Sequence, residues 1–307
     1  MQKQNWTKEN IPDLSGKIII VTGGNSGLGY ESVKAFAEKG AEVILACRDL
    51  EKGKMARAEM MQTIMSGKIE VLPLDLMDLS SVKNFVSLFR KNYGQLDVLL
   101  NNAGIMTTPY FLTKDGFEAQ LGTNHLGHFA LTGQLIDLIV KTPMSRVVNV
   151  SSMAHKWGKM DFSNLQFEQG KGYSPIKAYG RSKLSNLLFT YELQRRFEKE
   201  NLNSIAVAAH PGVSNTNLNR YISRKFLYKI VSPLAGSIMQ AANMGALPQI
   251  RASVDPNVKG SEYYGPDGFN EMKGYPVLVK SNKASHNRED AVKLWEVSEK
   301  LTGVNFL

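Results

Sequence analysis

The sequence predicts an α/β protein built on a single doubly wound parallel sheet with helices on both faces. Two observations lead to this prediction. Short apolar runs typical of buried strands alternate with helix-like stretches from residue 17 to residue 265, and no repeat or low-complexity linker interrupts them. Parallel neighbours in a sheet are joined by a crossover, usually a helix, so this order indicates a parallel sheet covered on both sides.

Each predicted element is supported by a local pattern. The first strand is a run of β-favouring residues that leads into a glycine-rich turn, and the third helix places its apolar residues on one stripe. The predicted strands are Lys17–Thr22, Glu42–Cys47, Ile69–Leu74, Asp97–Leu100, Arg146–Val150, Ser204–Ala209 and Gly260–Tyr264. The predicted helices are Gly27–Lys39, Glu51–Met65, Leu79–Asn92, Asp115–Val140 and Ala178–Lys199. We expect one domain over residues 1–307, with extensions at 1–14 and 266–307.

The composition is that of an ordinary globular protein and excludes several functional classes. Hydrophobic residues make up 43% of the chain, and the single cysteine, Cys47, excludes an intrachain disulfide. The N-terminus lacks the apolar stretch of a secretory signal, and no run approaches the ~20 apolar residues of a membrane span. The net charge is +9, but zinc-ligand spacing and RNA-binding signatures are missing. We therefore expect a cytoplasmic protein with neither nucleic acid nor metal as a partner.

A glycine-rich turn follows the first strand and predicts a dinucleotide site of the Rossmann type. Its spacing, G-x-x-x-G-x-G, differs from the usual G-x-G-x-x-G fingerprint. Glycines let backbone amides approach a pyrophosphate at the N-terminus of the next helix, where the helix dipole favours negative charge. The residues expected to hold the phosphates are Gly23, Asn25, Ser26, Gly27, Leu28 and Gly29.

The end of the second strand bears on the choice of cofactor. Asp49 lies near the distance at which an acidic residue usually binds the ribose hydroxyls of NAD. The strand itself ends at Cys47, however, so the next residue is Arg48, whose guanidinium can bind a 2′-phosphate in bidentate fashion. We expect NADP(H) to be preferred over NAD(H), with Arg48 as the anchor. The alternative is that Arg48 is a surface cation in a Lys-containing loop.

Two further strand ends supply candidate adenosine contacts, because ligands of doubly wound sheets bind beyond the carboxyl ends of the strands. Asp75 and Leu76 follow the third strand. Asp75 either hydrogen-bonds the adenine amino group or caps the helix that starts at Leu79. The fourth strand is followed by small residues that can pack under the adenine ribose, although a plain turn is an equally good interpretation. These residues are Asn102, Ala103 and Gly104.

The pattern Y-x-x-x-K predicts the catalytic pair, but it occurs five times, at Tyr30, Tyr110, Tyr173, Tyr179 and Tyr221. Only Tyr179 opens a confident helix after a strand, and spacing of four places it and Lys183 on one helix face. A free tyrosine titrates near ~10, and a nearby ammonium favours the phenolate and lowers that pKa. We therefore expect Tyr179 to transfer a proton with the help of Lys183.

Two polar residues are expected to assist this pair. Ser152 follows the fifth strand, where its hydroxyl can donate a hydrogen bond to a substrate oxygen that gains negative charge. Asn124 falls within a predicted helix, although asparagine is a poor helix former. Either a backbone irregularity there frees a carbonyl for a water linked to Lys183, or Asn124 makes a helix–helix hydrogen bond.

Taken together, these motifs resemble the short-chain dehydrogenase/reductase family over about residues 15–265. The resemblance implies that Ser152 positions a carbonyl and Tyr179 transfers the proton. It also implies that Lys183 binds the nicotinamide ribose and that Asn124 completes a relay. The motifs that carry it are Thr22–Gly29, Asn101–Gly104, Asn124, Ser152, Tyr179, Lys183 and His210-Pro211-Gly212. From the last motif it implies cofactor contacts by Pro211, Gly212 and Thr216.

Three stretches are similar to one branch of this family, that of retinol dehydrogenase, WW-domain oxidoreductase and protochlorophyllide reductase. They are Ala46–Asp49, Asn149–His155 and Ala209–Val213. The branch generally prefers NADP(H), while Tyr263–Pro266 and the tail resemble bacterial members. Ser214 departs from the family pattern P-G-x-V-x-T, and the expected lack of a membrane anchor before the domain argues against a retinoid substrate.

The segment 213–250 is rich in apolar residues and is expected to cover the substrate. Three interpretations of its part around 220–240 stay open: a lid over a lipophilic compound, a helix docked on the core, or a surface for homo-oligomers or a membrane. The expected activity is that of an NADP(H)-dependent oxidoreductase acting on a carbonyl or alcohol compound, a small-molecule partner. The alternative function is a catalytically silent NADP(H)-binding redox sensor.

Overall fold

The computed structural model describes residues 5–214 and 240–307, and the strands within these ranges form one sheet. The strands are β1 (Ile18–Thr22), β2 (Glu42–Cys47), β3 (Lys68–Pro73), β4 (Val98–Asn101), β5 (Arg146–Val150), β6 (Ile205–Ala209), β7 (Tyr263–Pro266) and β8 (Pro276–Leu278). Their order is β3-β2-β1-β4-β5-β6-β7-β8, and every neighbouring pair is parallel except β7 with β8. The predicted doubly wound α/β fold is confirmed, with one antiparallel strand added at its edge.

Helices cover both faces of this sheet. They are α1 (Gly27–Glu38), α2 (Leu50–Met61), α3 (Leu79–Asn92), α4 (Ala119–Leu121), α5 (Gly127–Lys141), α6 (Pro175–Lys199), α7 (Ala242–Gly245), α8 (Leu247–Val254) and α9 (Arg288–Thr302). A π-helical turn, Gly122–Leu126, joins α4 to α5, and a 3₁₀ turn, Met153–Trp157, follows β5.

Alternation along each strand divides the core into two layers. In β1, Ile19 and Val21 pack into the layer beneath α1, α2 and α8, whereas Ile20 packs into the layer beneath α3, α5 and α6. All three side chains are fully buried, because helices cover both faces of a parallel sheet. This double burial explains why the strands read as continuous apolar runs.

Several boundaries differ from the predicted ones for local reasons. The helix predicted over Asp115–Val140 begins only at Ala119, because the carboxylate of Glu118 accepts hydrogen bonds from the amides of Gln120 and Leu121 and caps it. Proline is favoured in the first helical turn, and α6 accordingly begins at Pro175 rather than at the predicted Ala178. The helix predicted over Glu51–Met65 ends at Met61.

The C-terminal extension belongs to the core, which the sequence did not predict. Strand β8 has three residues, too few for a recognisable alternation, and it pairs with β7. Trp295 of α9 is 2% exposed and packs against Phe129, Phe189 and Phe306, with ring centroids 4.6–5.7 Å away. The guanidinium carbon of Arg196 in α6 lies 4.0 Å from the centre of the Trp295 ring, over its face. The segment therefore closes one face of the sheet.

The strand order also fixes the position of the site. The chain moves outward from β1 through β2 to β3, and then returns to place β4 on the other side of β1. The connections from β1 and β4 diverge at this point, so a crevice opens beyond their carboxyl ends. The glycine-rich turn and the loop at Asn102 lie at this crevice.

We expect Trp295→Ala to lower the free energy of unfolding by about 3–5 kcal/mol, because it leaves a large cavity in the core. Trp157→Ala is the matched control, since Trp157 is 67% exposed, and this variant should unfold like the wild type. Denaturant unfolding monitored by circular dichroism measures both. Equal stability of the two variants would mean that α9 is not part of the core.

Candidate active site

A cleft of about 1110 Å³ lies beyond the carboxyl ends of the strands and contains most of the predicted site residues. It runs from Arg48 at one end to Tyr179 and Lys183 at the other. The predicted residues that line it are Gly23, Asn25, Ser26, Gly27, Leu28, Gly29, Arg48, Asp75, Leu76, Asn102, Ala103, Gly104, Tyr179, Lys183 and Pro211. Asn124, Ser152 and Gly212 are not among the residues that line it, and Thr216 lies outside the described residues.

The glycine-rich turn is shaped for close approach by a ligand. Gly23 has φ +67°, and a Cβ on it would lie 3.1 Å from Ala103. A Cβ on Gly29 would collide with the carbonyl oxygen of Gly23. Helix α1 begins at Gly27, and the N-cap residue Ser26 makes no side-chain capping bond. The first amides of α1 thus face the cleft as donors, an arrangement that fits a pyrophosphate.

Thr22, the last residue of β1, joins this turn to the loop after β4. Its Oγ1 accepts hydrogen bonds from the amides of Asn102 and Ala103, each at 2.9 Å. The Asn102 side chain in turn donates to the carbonyl oxygen of Thr22 at 2.7 Å and accepts from Gln249 at 3.0 Å. The loop is thus held to the glycine-rich turn by the Asn102 side chain, and its expected packing under the adenine ribose stays a prediction. Sequence reasoning gave no role to Thr22, although it precedes the first glycine.

At the other end of the cleft, Arg48 and Asp49 have different surroundings. Arg48 is exposed on the cleft wall and makes no hydrogen bond or ion pair within residues 5–214 and 240–307. Asp49 is the N-cap of α2, where it accepts from the amide of Lys52 and pairs with the ammonium of Lys52 at 2.8 Å. A hydrogen bond from Lys52 lowers the pKa of Asp49. The carboxylate is thus engaged locally, while the guanidinium is free to meet a ligand.

Asp75 and Leu76 also line the cleft. The interpretation of Asp75 as a helix cap is wrong, because Asp78 caps α3 by accepting from the amides of Ser80 and Ser81. Asp75 instead accepts from the amide of Met77 at 3.0 Å, which shapes its own turn. Its expected contact with adenine stays a prediction.

Asn124 lies in the π-helical turn, which confirms the predicted backbone irregularity. Its side chain is fully buried. Its Oδ1 accepts from the backbone amide of Ile105 at 2.8 Å, and its Nδ2 donates to the carbonyl oxygen of Ile105 at 3.0 Å. It also donates to Ser182 of α6 at 2.9 Å, which is the helix–helix hydrogen bond of the alternative interpretation. The Asn124 carbonyl oxygen lies 3.1 Å from Nδ1 of His128, whose Nε2 lies 2.9 Å from Thr22 Oγ1. The helix–helix hydrogen bond is therefore present, whereas the link from the Asn124 carbonyl through a water to Lys183 stays a prediction.

Lys183 is almost fully buried at the wall of the cleft and donates to the carbonyl oxygen of Val150 at 3.0 Å. Burial lowers its pKa to about 8. Its ammonium lies 5.8 Å from the centre of the Tyr179 ring. A Cβ on Gly104 would lie 3.0 Å from Asn124 Oδ1 and 3.6 Å from Lys183 Nζ, so these two polar groups converge on one point.

Tyr179 is partly exposed to the cleft, and burial of the rest of its ring raises the pKa to about 12. A hydrogen bond with Ser152 acts in the opposite direction. The pKa therefore lies above its ordinary value rather than below it, as the sequence led us to expect, because desolvation of the phenolate dominates the shift. The phenol of Tyr179 therefore stays protonated at neutral pH. Of the other tyrosines in the pattern, Tyr173 donates to the carbonyl oxygen of Thr108 at 2.8 Å, and Tyr221 lies outside the described residues.

Ser152 and the His210-Pro211-Gly212 motif complete the catalytic end. Ser152 is the N-cap of the 3₁₀ turn after β5, and its Oγ accepts from the amide of Ala154 at 3.2 Å. Gly212 has φ +63°, and a Cβ there would collide with the carbonyl oxygen of Met272. The carbonyl oxygen of Pro211 accepts from Ser214 and Gln240, each at 2.8 Å. Of the segment 213–250, residues 215–239 lie outside the described ranges, and Leu247 and Ile250 are buried in the core.

Comparisons with known proteins identify the family to which a chain with this fold and cleft belongs. A family model described as short chain dehydrogenase matches residues 17–226. The chain belongs to the short-chain dehydrogenase family. Retinol dehydrogenase 12 of Homo sapiens is 38% identical over 294 residues, which cover 95% of this chain and 88% of that relative. The chain is thus an oxidoreductase that acts on alcohol or carbonyl groups with a nicotinamide cofactor.

Solved structures share the fold of this chain. A crystal structure of a protein from Mycobacterium paratuberculosis matches with a TM-score of 0.82 and 39% identity, and it covers 99% of this chain and 100% of that one. The RhlG/NADP active-site complex of Pseudomonas aeruginosa has a TM-score of 0.64 over 82% of this chain and 94% of that one, a likeness of fold at 21% identity. Within the described ranges, no helix is both long and apolar enough to span a membrane. The cytoplasmic location stays a prediction.

The buried Lys183 predicts a specific pH dependence of stability. Its pKa is about 8 in the folded protein and about 10.4 in an unfolded chain, so the unfolded chain binds more protons between these values. The free energy of unfolding should therefore rise with pH in this window. Relative to Lys183→Met, which cannot titrate, we expect the wild type to gain roughly 3 kcal/mol between pH 7 and pH 10.5.

Denaturant unfolding of both proteins at each pH measures this gain. Other titrating groups are common to both proteins and cancel in the difference. A constant difference across the pH range would contradict the lowered pKa of Lys183.

Proposed function

We propose that the protein is an NADP(H)-dependent oxidoreductase that transfers a hydride between nicotinamide and a lipophilic carbonyl or alcohol compound. The observation that carries the cofactor preference is the contrast at the end of β2. Arg48 is exposed on the cleft wall with no partner among the described residues, whereas Asp49 is held by α2 and Lys52. A free carboxylate at this point would select the ribose hydroxyls of NAD, and a free guanidinium favours a 2′-phosphate.

The shape of the cleft also suggests where the other groups of the cofactor would bind. The amides at the start of α1 would hold the pyrophosphate, and the small loop at Ala103 and Gly104 leaves room for the adenosine and ribose. Lys183, Pro211 and Gly212 would lie against the nicotinamide end, with Thr216 as a further proposed contact. The nicotinamide supplies or accepts the hydride when it is bound.

The proton is handled by the protein. In carbonyl reduction the phenol of Tyr179, whose pKa is raised to about 12, would donate its proton to the substrate oxygen, and the Ser152 hydroxyl would donate a hydrogen bond to the same oxygen. The ammonium of Lys183 would stabilise the resulting phenolate until a proton returns. Asn124 would hold this arrangement through Ile105 and Ser182 rather than by touching the substrate.

Two observations support a lipophilic substrate. The apolar side chains of Ile105 and Met106 line the cleft near its catalytic end. The curated relatives at 34–38% identity are named as retinol dehydrogenases, which indicates that related sites accept large apolar alcohols. The alternative of a silent redox sensor has no supporting feature, since serine, tyrosine, lysine and asparagine of the catalytic set are all in place.

We expect Arg48→Ala to weaken NADPH binding about 10- to 100-fold, because a charge-assisted hydrogen bond contributes about 1.5–3 kcal/mol. Binding of NADH should change less than about twofold. Fluorescence titration with NADPH and with NADH measures the ratio of the two affinities. Lys54→Ala is the matched control: Lys54 is an exposed cation of α2 that pairs with Glu51 and does not line the cleft. An unchanged NADPH to NADH ratio in Arg48→Ala would remove Arg48 from the phosphate site.

We expect Tyr179→Phe to lower kcat by about 10²- to 10⁴-fold, the usual contribution of a positioned proton donor, with NADPH affinity nearly unchanged. The assay follows loss of NADPH with a panel of retinals, quinones, aldehydes and steroid ketones. Tyr173→Phe is the control, because Tyr173 shares the sequence pattern but hydrogen-bonds Thr108 and is absent from the cleft wall. Full activity of Tyr179→Phe would refute its role.

A further inference from the structure

The turn that carries Ser152 is attached to the C-terminal segment at two adjacent residues. His155 lies in the 3₁₀ turn after Ser152 and contacts Asn282, which precedes the 3₁₀ turn Lys283–His286. The next residue, Lys156, pairs with Glu271 at 3.6 Å. Glu271 also lies 3.1 Å from the ring of His210. A segment remote in sequence thus meets the catalytic turn directly.

The contacts of His155 determine its protonation. Its side chain is fully buried. Nδ1 lies 2.6 Å from the carbonyl oxygen of Ser152, which can only accept, so Nδ1 must carry the hydrogen. Nε2 lies 3.2 Å from the backbone amide of Asn282, which can only donate, so Nε2 must be the acceptor. Only the neutral ring protonated at Nδ1 satisfies both neighbours.

We propose that His155 is a positioning residue for Ser152, and that the backbone amide of Asn282 sets the tautomer it needs for this role. The proposal rests on the catalytic role of Ser152 stated above. His155 does not touch the substrate or the cofactor in this arrangement. It acts through the backbone of Ser152 and thereby makes the C-terminal segment part of the catalytic apparatus.

The hydrogen bonds around Ser152 explain how this positioning works. The Ser152 carbonyl oxygen accepts from both the backbone amide and the ring of His155, at 3.0 and 2.6 Å. These bonds fix the peptide that follows Ser152. Its hydroxyl is then held between the amide of Ala154 and the phenol of Tyr179. Misplacement of a catalytic group by ~1 Å can cost 10²-fold in rate, so a rigid backbone here has direct consequences.

The neighbours of His155 favour the neutral ring. Tyr263 of β7 packs edge-on against it at 5.7 Å, and Asn282 Nδ2 donates to its carbonyl oxygen at 3.2 Å. Burial lowers the pKa of His155 to about 4, and His210 and Lys156 oppose its charging. The ring therefore keeps one tautomer through the neutral pH range. A protonated ring would present an N–H to the amide of Asn282.

Two substitutions separate the two hydrogen bonds of the ring. In His155→Asn the side-chain amide nitrogen takes the place of Nδ1 and can still donate to Ser152. In His155→Gln the longer side chain can accept from Asn282 but leaves Ser152 without its second donor. We expect His155→Asn to keep kcat within about threefold of the wild type. We expect His155→Gln to lower kcat about 10-fold or more, with KM and NADPH affinity changed less than about twofold.

A structural readout tests the proposal independently of turnover. The amide of Ala154 donates to Ser152 Oγ, so its hydrogen exchange reports the position of the hydroxyl. We expect exchange at Ala154 to be at least ~10-fold faster in His155→Gln and unchanged in His155→Asn. In the wild type, ¹⁵N NMR should show His155 protonated at Nδ1 and not titrating between pH 5 and pH 8.

The outcomes are distinguishable. Equal kcat and equal Ala154 exchange in the two variants would overturn the positioning role, and a wild-type ring protonated at Nε2 would overturn the role of Asn282. If the wild type turned over no compound of the panel, the proposed function would fail, while the exchange and NMR results would still decide whether His155 holds Ser152.

Discussion

Thr22 stands at the point where the chain reverses its direction across the sheet, and its hydroxyl joins the two loops that build the cleft. The amides of Asn102 and Ala103 converge on that single oxygen, and Asn102 returns a hydrogen bond to the Thr22 backbone. A glycine-rich turn has little rigidity of its own, so its shape depends on this support from the neighbouring strand end. The same hydroxyl lies against His128, which reaches the backbone of Asn124. One strand-end threonine therefore couples the phosphate-facing loop to the catalytic helix.

Burial governs the electrostatics of the catalytic end. Lys183 is buried and its pKa falls to about 8, whereas the pKa of Tyr179 rises to about 12. Both shifts follow from the cost of removing a charge from water, and they leave a protonated lysine beside a neutral phenol at pH 7. Four buried histidines around the site, His125, His128, His155 and His210, have lowered pKa values for the same reason. The ammonium of Lys183 thus lies beside the ring on which a phenolate would form.

The C-terminal segment contacts the residues around this site at several points. It covers one face of the sheet with Trp295, contacts the π-helical turn through the pair of His125 and Ser298, and reaches the catalytic turn through Asn282. Two of these contacts are made close to proposed site residues, since His125 follows Asn124 and His155 lies in the turn that Ser152 caps. The C-terminal segment therefore contributes both to the core, through Trp295, and to the proposed positioning of Ser152, through Asn282.

The sequence by itself determined the alternation of strands and helices and the glycine turn at the first strand end, and it predicted Tyr179 among five similar patterns. These features are local, since they depend on periodicity, on glycine conformations and on position relative to a strand. The antiparallel β8, the support from Thr22, the two opposed pKa shifts and the tautomer of His155 were decided only by the tertiary structure. They depend on burial and on hydrogen bonds between residues as far apart as His155 and Asn282, and no local pattern specifies which distant groups share the low-dielectric interior.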